Sequence, residues 1–218
     1  MIEAVIFDLD GTVLDNEGEW EEAFCEVAKK FSVTNSGFSI DGWMHEPGIG
    51  ITPNWRRYFP SDLAKVDELS RETWEAYKLK TQEVKVKIRE GVEKLVEKIK
   101  ARGWMTALTT GSSWHVVEGE LEELGLYLAF DVTTTGEEVL VQKPDPEIYL
   151  LTVQKLGLEP GECVVVEDAV AGVRAAVEAG CLSVGLESAY APEKLLKSAG
   201  ATWVVKEMGE VADLITRT

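Results

Sequence analysis

The chain has 218 residues, 45% of them hydrophobic, which is enough for one sizeable core and a smaller second unit. No apolar run approaches the roughly 18 residues of a membrane-spanning helix, and Met1-Ile2-Glu3 leads straight into apolar residues without a basic leader, so we expect a cytoplasmic protein with no membrane partner. The formal net charge of −17 repels nucleic acid backbones, so we expect no nucleic acid partner.

The first predicted element is a buried strand that ends in charge. Ala4-Val5-Ile6-Phe7 is an unbroken apolar run, as in a strand covered on both faces of a parallel sheet, and Asp8, Asp10 and Gly11 follow it. Ligands of such sheets bind beyond the carboxyl ends of the strands. Taken alone, this segment fits equally well a turn that only caps the strand.

Residues 16–85 are predicted to form an inserted helical cap domain. Aromatic residues recur at helical spacing around Trp20 and Trp74, and ten of the 18 aromatic residues of the chain lie in this segment. Pro47-Gly48-Ile49-Gly50 is interpreted as a bend between helices, because no strand precedes it as in a dinucleotide-binding loop. His45 is expected to be an exposed loop histidine.

Residues 86–218 alternate between helical and strand patterns. Together with residues 1–15 they predict an α/β core built on a doubly wound parallel sheet. The predicted helices are Val92–Ala101, a helix that begins near Trp114, a helix that ends at Gly157, and Ala169–Ala179. The helix that ends at Gly157 has Asp145 as its N-cap and Pro146 at its first position. The predicted strands are Trp104–Thr109, Phe130–Thr134, Cys163–Glu167, Leu182–Leu186 and Thr202–Val205.

Two further predicted strands also end in polar residues. Thr110 and Gly111 offer a hydroxyl and a close-approach glycine before a helix, which suits a phosphate. Glu167 and Asp168 end the other strand, and carboxylates without thiols or imidazoles suit a hard cation.

The charges at this sheet edge call for a metal ion. Like-charged carboxylates about 4 Å apart cost on the order of 4 kcal/mol per pair at an effective dielectric of about 20. A bound phosphate would add roughly two more negative charges. We therefore expect a divalent cation, and Mg²⁺ fits best because it shares phosphate oxygens with its protein ligands.

These segments resemble the four motifs of the haloacid dehalogenase-like (HAD) hydrolase superfamily. In chain order the matching segments are Asp8-Leu9-Asp10-Gly11-Thr12, Thr110-Gly111, Lys143-Pro144-Asp145-Pro146 and Glu167-Asp168-Ala169-Val170-Ala171-Gly172. The resemblance covers the whole chain and is greatest to the beta-phosphoglucomutases and phosphoglycolate-type phosphatases. It implies a Rossmann-like core with an inserted cap, and the second aspartate implies phosphoryl transfer rather than dehalogenation.

The resemblance also implies a role for each motif residue. Asp8 would be the nucleophile that forms an aspartyl-phosphate, and Asp10 would be the general acid and base. The implied phosphate-binding residues are Thr110, Gly111 and Lys143. The implied metal ligands are Asp8, Asp10 through its backbone carbonyl, Asp168, and Glu167 either directly or through water. We therefore predict a Mg²⁺-dependent phosphatase acting on a small phosphorylated metabolite.

Two alternatives stay open at this stage: a phosphomutase of the beta-phosphoglucomutase type and a non-catalytic phosphate-ligand-binding protein. The resemblance implies that the position of Trp20 is a proton-shuttling histidine in those mutases, and an indole nitrogen donates but does not accept a hydrogen bond. The presence of both Asp8 and Asp10 argues against a binding protein. Candidate substrate contacts in the cap are Trp20, Arg56, Arg57 and Lys78. The oligomeric state is left open, with a monomer favoured.

Overall fold

A computed structural model describes residues 1–33 and 45–215. Within these residues six strands form one parallel sheet in the order β3-β2-β1-β4-β5-β6. The strands are β1 (Ala4–Asp8), β2 (Met105–Thr110), β3 (Val132–Thr135), β4 (Cys163–Glu167), β5 (Leu182–Leu186) and β6 (Trp203–Val205). The strand order reverses direction at β1, as in doubly wound folds, which confirms the predicted α/β class.

Helices cover both faces of this sheet. The helices of the described residues are α1 (Glu17–Lys30), α2 (Ile51–Tyr58), α3 (Leu63–Glu83), α4 (Val92–Lys100), α5 (Trp114–Glu123), α6 (Glu147–Leu156), α7 (Val170–Glu178), α8 (Glu193–Ser198) and α9 (Met208–Ile215). Val5 and Phe7 of β1 pack with α4, α5 and α9, whereas Ala4 and Ile6 pack with α6 and α7. Both faces of β1 are therefore buried, which explains its unbroken apolar run.

Helices α1, α2 and α3, which we call the helical unit, have a hydrophobic core of their own. Trp20, Phe24, Trp55, Leu69 and Tyr77 belong to it, and all are nearly inaccessible to solvent. The rings of Trp20 and Tyr77 stack with centroids 3.6 Å apart. The glycine-rich bend precedes α2, where Gly48 and Gly50 have positive φ angles of 80° and 81°.

Several element boundaries differ from their predictions by one or two residues, among them both ends of β2 and α7, the end of α4 and the start of β6. Two further differences have a visible local setting. Helix α6 begins at Glu147 rather than at Pro146, although Asp145 still accepts a hydrogen bond from the Glu147 N–H at 3.0 Å. Strand β3 begins at Val132 rather than at Phe130, because the Asp131 side chain takes the Thr106 N–H at 2.8 Å. Among residues 1–33 and 45–215, none of the helices combines the length and the apolar content that a membrane crossing requires.

Candidate active site

The polar ends of three adjacent strands meet at one edge of the sheet. β1 lies between β2 and β4, with Asp8 opposite Thr109 and Phe7 opposite Val166. The side chain of Lys143 reaches the same edge from the loop before α6. The sequence-predicted residues Asp8, Asp10, Thr110, Gly111, Lys143, Glu167 and Asp168 therefore lie together.

Lys143 is buried between two carboxylates. Its Nζ donates to Asp8 Oδ1 at 2.5 Å and to Glu167 Oε1 at 2.6 Å. Glu167 Oε1 also accepts from the Tyr149 hydroxyl at 2.6 Å. Burial lowers the pKa of Lys143, but the carboxylates of Asp8 and Glu167 outweigh it and raise that pKa well above its usual value. The ammonium therefore stays charged in the site.

Asp8 sits in an environment that opposes its ionisation. Burial raises the pKa of Asp8, the charge of Glu167 raises it further, and Lys143 only partly offsets these effects. A second cation at this carboxylate would therefore favour its charged, nucleophilic form.

Asp168 has one carboxylate oxygen without a hydrogen-bond partner. Its Oδ1 accepts from the Thr12 hydroxyl at 2.8 Å, whereas Oδ2 is buried and has no partner among the described residues. Burial raises the pKa of Asp168, and the charges of Glu17 and Glu167 add to this. Oxygens of Asp8, Glu167 and Asp168 lie within 4.8 Å of one another. An all-oxygen cluster with an unpaired buried oxygen fits a hard divalent cation.

Two glycines let the backbone approach these carboxylates. A β-carbon at Gly11 would overlap Asp168 Oδ2, and one at Gly172 would overlap both oxygens of Glu167. Gly11 also has a φ of 74°, which disfavours any other residue. Both glycines belong to the motifs quoted above, and the structure gives the physical reason for them.

Asp10 is held by Trp20 of the helical unit and by Asn16, the residue just before it. Its Oδ1 accepts from Asn16 Nδ2 at 2.7 Å and from Trp20 Nε1 at 2.9 Å. Its Oδ2 lies 3.5 Å from the Thr110 hydroxyl, which in turn accepts from the Ser112 N–H at 3.0 Å. One oxygen of Asp10 is thus occupied and the other is directed toward the phosphate-binding motif.

A cavity of about 500 Å³ separates the sheet edge from the helical unit, a size that suits a small metabolite. Asp8, Asp10 and Gly111 line it from the core, and the lining from the helical unit includes Trp20, Phe24, Arg56 and Trp74. The other two predicted cap cations lie elsewhere. Arg57 pairs with Glu46 at 2.8 Å, and Lys78 pairs with Glu75 at 2.7 Å without lining the cavity.

His45 is not an exposed loop histidine. Its side chain is buried, with Nδ1 2.5 Å from Glu21 Oε2 and Nε2 3.1 Å from Glu17 Oε2, and it stacks on Phe24. Burial lowers the pKa of His45, but the hydrogen bonds to both glutamates outweigh it and raise the pKa to about 9. The expectation failed because two carboxylates one helical turn apart on α1 form a site that only folding completes.

Several site residues escaped the sequence reasoning. Thr12 belongs to a quoted motif but had no assigned role, and its hydroxyl now orients Asp168. Tyr77 and Tyr149 carry no sequence signal beyond helical spacing, because their partners Asn16 and Glu167 are distant along the chain. Asn16 lies close to Asp10 in sequence, but nothing local shows that its amide turns back onto that carboxylate. A search for polar groups on the buried faces of predicted amphipathic helices could have flagged the two tyrosines.

Comparison with known proteins gives the family. The model of the haloacid dehalogenase-like hydrolases matches residues 2–180. A phosphorylated carbohydrates phosphatase of Thermotoga maritima is 32% identical over 213 residues, covering 94% of each chain. A fructose-1-phosphate phosphatase of Escherichia coli is 31% identical over 180 residues, covering 81% of this chain and 92% of the relative.

A solved structure agrees over the full length. The crystal structure of a Thermotoga maritima protein provisionally described as a beta-phosphoglucomutase has a TM-score of 0.74 and 29% identity, and covers 100% of both chains. The fold, the order of the motifs and these relatives agree: the chain belongs to the haloacid dehalogenase-like hydrolase family and is a phosphatase of that family.

Proposed function

We propose that this chain is a Mg²⁺-dependent phosphomonoester phosphatase that acts on a small phosphorylated sugar or polyol through an aspartyl-phosphate on Asp8. The observation that carries the proposal is the buried contact of 2.5 Å between Lys143 Nζ and Asp8 Oδ1 beside the cavity, with Asp10 on the same loop. The substrate class is supported by the similarity to phosphatases of phosphorylated carbohydrates and of fructose 1-phosphate.

The proposed reaction has two displacements at phosphorus. In the first, a carboxylate oxygen of Asp8 bonds to phosphorus, the bond to the leaving oxygen breaks, and Asp10 gives its proton to that oxygen. In the second, Asp10 takes a proton from a water molecule whose oxygen attacks phosphorus. The bond to Asp8 then breaks and inorganic phosphate leaves.

We propose that the Thr110 hydroxyl, the Gly111 amide and Lys143 hold the phosphate, where they would stabilise charge on its equatorial oxygens. The residues proposed to hold Mg²⁺ are Asp8, the backbone carbonyl of Asp10, and Asp168 through its unpaired Oδ2. We propose that Glu167 acts on the ion indirectly and mainly positions Lys143, since its Oε1 already accepts hydrogen bonds from Lys143 and Tyr149. When bound, the ion would neutralise phosphate charge in this acidic site.

We propose that residues 16–85 form a cap domain over a core made of residues 1–15 and 86–218. The separate hydrophobic core of the helical unit supports this division. Arg56 is the proposed cap cation for an anionic substrate, because it lines the cavity whereas Arg57 and Lys78 have acidic partners. A cytoplasmic location, a monomeric state and the absence of nucleic acid partners stay predictions.

The proposal is tested by following phosphate release from a panel of phosphorylated sugars, polyols and organic acids with Mg²⁺. We expect kcat/KM to be highest for one or a few sugar or polyol phosphates, with the Asp8→Asn variant as the blank. Equal release by the wild type and this variant would refute the mechanism.

A mutase is the second candidate, favoured by the full-length similarity to the protein described as a beta-phosphoglucomutase. Trp20 argues against it, because its Nε1 donates to Asp10 Oδ1 at 2.9 Å and an indole does not accept a proton. Incubation with beta-glucose 1-phosphate and catalytic glucose 1,6-bisphosphate separates the two. We expect free phosphate without appreciable glucose 6-phosphate, and rapid isomerisation with little hydrolysis would favour the mutase.

A further inference from the structure

A chain of hydrogen bonds runs from Asp10 through the helical unit to the core helix α5. Asn16 Nδ2 donates to Asp10 Oδ1 at 2.7 Å and to the Tyr77 hydroxyl at 2.8 Å. The Tyr77 hydroxyl donates to Glu120 Oε1 at 3.2 Å. Tyr77 lies on α3 and Glu120 on α5, so this last bond joins the helical unit to the core.

The Asn16 amide sets the direction of the bonds in this chain. The Asn16 carbonyl oxygen accepts from the Gly11 N–H at 3.0 Å, so its amide nitrogen must face Asp10 and Tyr77. Both amide hydrogens are then used, and the Tyr77 oxygen acts as an acceptor. Its one proton is then left for Glu120 Oε1. Burial and the charge of Asp10 raise the pKa of Glu120 to about 8, and a carboxyl oxygen accepts this bond from Tyr77 in the ionised form and in the neutral form alike. Burial raises the pKa of Tyr77, and the charge of Glu120 adds to this, so the hydroxyl keeps its proton.

Tyr77 also supports the second donor of Asp10. The Trp20 ring, whose Nε1 donates to Asp10 Oδ1 at 2.9 Å, stacks on the Tyr77 ring with an interplanar angle of 5°. Tyr77 therefore contacts both donors to Asp10 Oδ1: it accepts a hydrogen bond from Asn16 and stacks on Trp20. Asn16 is fully buried and Tyr77 is 1% exposed, so water does not reach their polar groups. If either side chain moved, a buried polar group would lose its hydrogen-bond partner, which is costly.

We propose that Tyr77 and Glu120 are positioning residues for proton transfer by Asp10. Held through Asn16 and Trp20, Asp10 keeps Oδ1 occupied and leaves Oδ2, the oxygen nearer Thr110, for the leaving group. The inference rests on the proposed function, in which Asp10 is the general acid. Since Tyr77 and Glu120 belong to the two parts of the molecule, Asp10 is fully held only where the helical unit meets α5.

The test uses two substrates that differ in their need for acid assistance. Phenyl phosphate and p-nitrophenyl phosphate have nearly the same shape, but the phenolate leaving group depends more on a proton from Asp10. The ratio of kcat/KM for p-nitrophenyl phosphate to that for phenyl phosphate reports how well Asp10 is placed. This ratio does not depend on the folded fraction of a preparation, because both substrates meet the same enzyme.

We expect Tyr77→Phe, which keeps the ring stack, to raise this ratio about three- to tenfold, the size of one lost hydrogen bond. Glu120→Leu should act similarly. Glu120→Gln should stay within about twofold of the wild type, because the amide oxygen still accepts from Tyr77. The matched control is Glu123→Gln on the exposed side of the same helix, which should leave the ratio unchanged.

The outcomes separate the inference from the proposed function. If Asp10→Asn leaves the ratio unchanged, Asp10 is not the general acid and the proposed function fails with the inference. If Asp10→Asn raises the ratio but Tyr77→Phe and Glu120→Leu slow both substrates equally, the hydrogen-bond chain serves only stability and the inference alone is overturned.

Discussion

At the scale of single residues, the site buries three carboxylates close to one ammonium group. Asp8, Glu167 and Asp168 are each 3% exposed or less, and Lys143 is the buried cation between the first two. Burying a charge costs free energy unless the charge is paired, so without a further cation this arrangement lowers the free energy of unfolding. Clusters of buried carboxylates of this kind, with raised pKa values, are typical of functional sites.

Asp8→Asn tests the nucleophile. We expect phosphate release to fall to background, because an amide cannot form the phosphoryl-enzyme. We also expect an equal or higher Tm, because the change removes a carboxylate whose ionisation burial and Glu167 oppose. Phosphate release and thermal unfolding followed by circular dichroism check both points. A large fall in Tm would show that the Asp8 charge supports the fold rather than straining it.

His45 makes stability depend on pH in a definite direction. Its pKa is about 9 in the folded protein and about 6.5 when unfolded. The stabilisation by its protonated ring is therefore fully present below about pH 6.5 and is lost as the pH rises through about 9. The difference corresponds to about 3 kcal/mol at most.

The measurement is the free energy of unfolding in urea at pH 6 and pH 10 for the wild type and His45→Gln. We expect the variant to be less stable at pH 6 and the gap between the two proteins to narrow at pH 10. A gap that is the same at both pH values would show that the His45 ring is neutral between its two glutamates.

At the scale of elements, the start of α7 packs its backbone against the site. Gly172 lies in the first turn of this helix, where a β-carbon would overlap the Glu167 carboxylate. Glu167 in turn places Lys143 and accepts from Tyr149. The helix therefore fixes the lysine of the site through one glutamate, and a glycine allows the close approach.

Gly172→Ala should displace Glu167, lower the unfolding free energy by about 1 to 3 kcal/mol as overpacked cores do, and reduce kcat strongly. The matched control is Gly119→Ala in the middle of α5, where a β-carbon would have nothing within 4 Å. We expect that variant to gain about 0.5 to 1 kcal/mol from better helix propensity and to keep its activity. Urea unfolding and phosphate release measure both, and equal behaviour of the two variants would contradict the close packing.

At the scale of the whole molecule, folding itself assembles the proposed cation site. Asp8 ends β1 and Asp168 follows β4, and Thr12, which orients Asp168, is 156 positions away from it in sequence. The unfolded chain does not hold these oxygens together, so the binding of a cation would be coupled to folding.

Mg²⁺ should therefore raise both activity and Tm. At a hundredfold excess over its Kd we expect an increase in Tm of about 5 to 10 °C over the EDTA-treated protein. Ca²⁺ should inhibit turnover, because it takes more ligands at longer distances. Asp168→Asn should lose the Tm shift, whereas Glu193→Gln on the surface should keep it. Full activity in EDTA would refute the metal site.

The sheet and the motif residues were predictable from the sequence because their signals are local. The apolar run up to Phe7, the helix that begins just after Asp145-Pro146 and the four motifs can each be recognised from a few adjacent residues. General rules for α/β folds limit the possible strand orders, and the structure shows which one the chain adopts. The sequence did not show which of the two adjacent arginines, Arg56 or Arg57, faces the cavity, because that depends on how α2 packs against its neighbours.

By itself, the sequence determined the fold class, because strand and helix periodicities carry that information. The resemblance of its four motifs to those of a known family then indicated the family and the residues that meet at the edge of the sheet. Only the tertiary structure decided that His45 is buried between two glutamates and that Asp10 is held by Asn16 and Trp20. The bond from Tyr77 to Glu120 spans 43 positions of sequence. Such contacts depend on how separate helices pack, and a tyrosine or glutamate on a helix has the same local pattern with or without its partner.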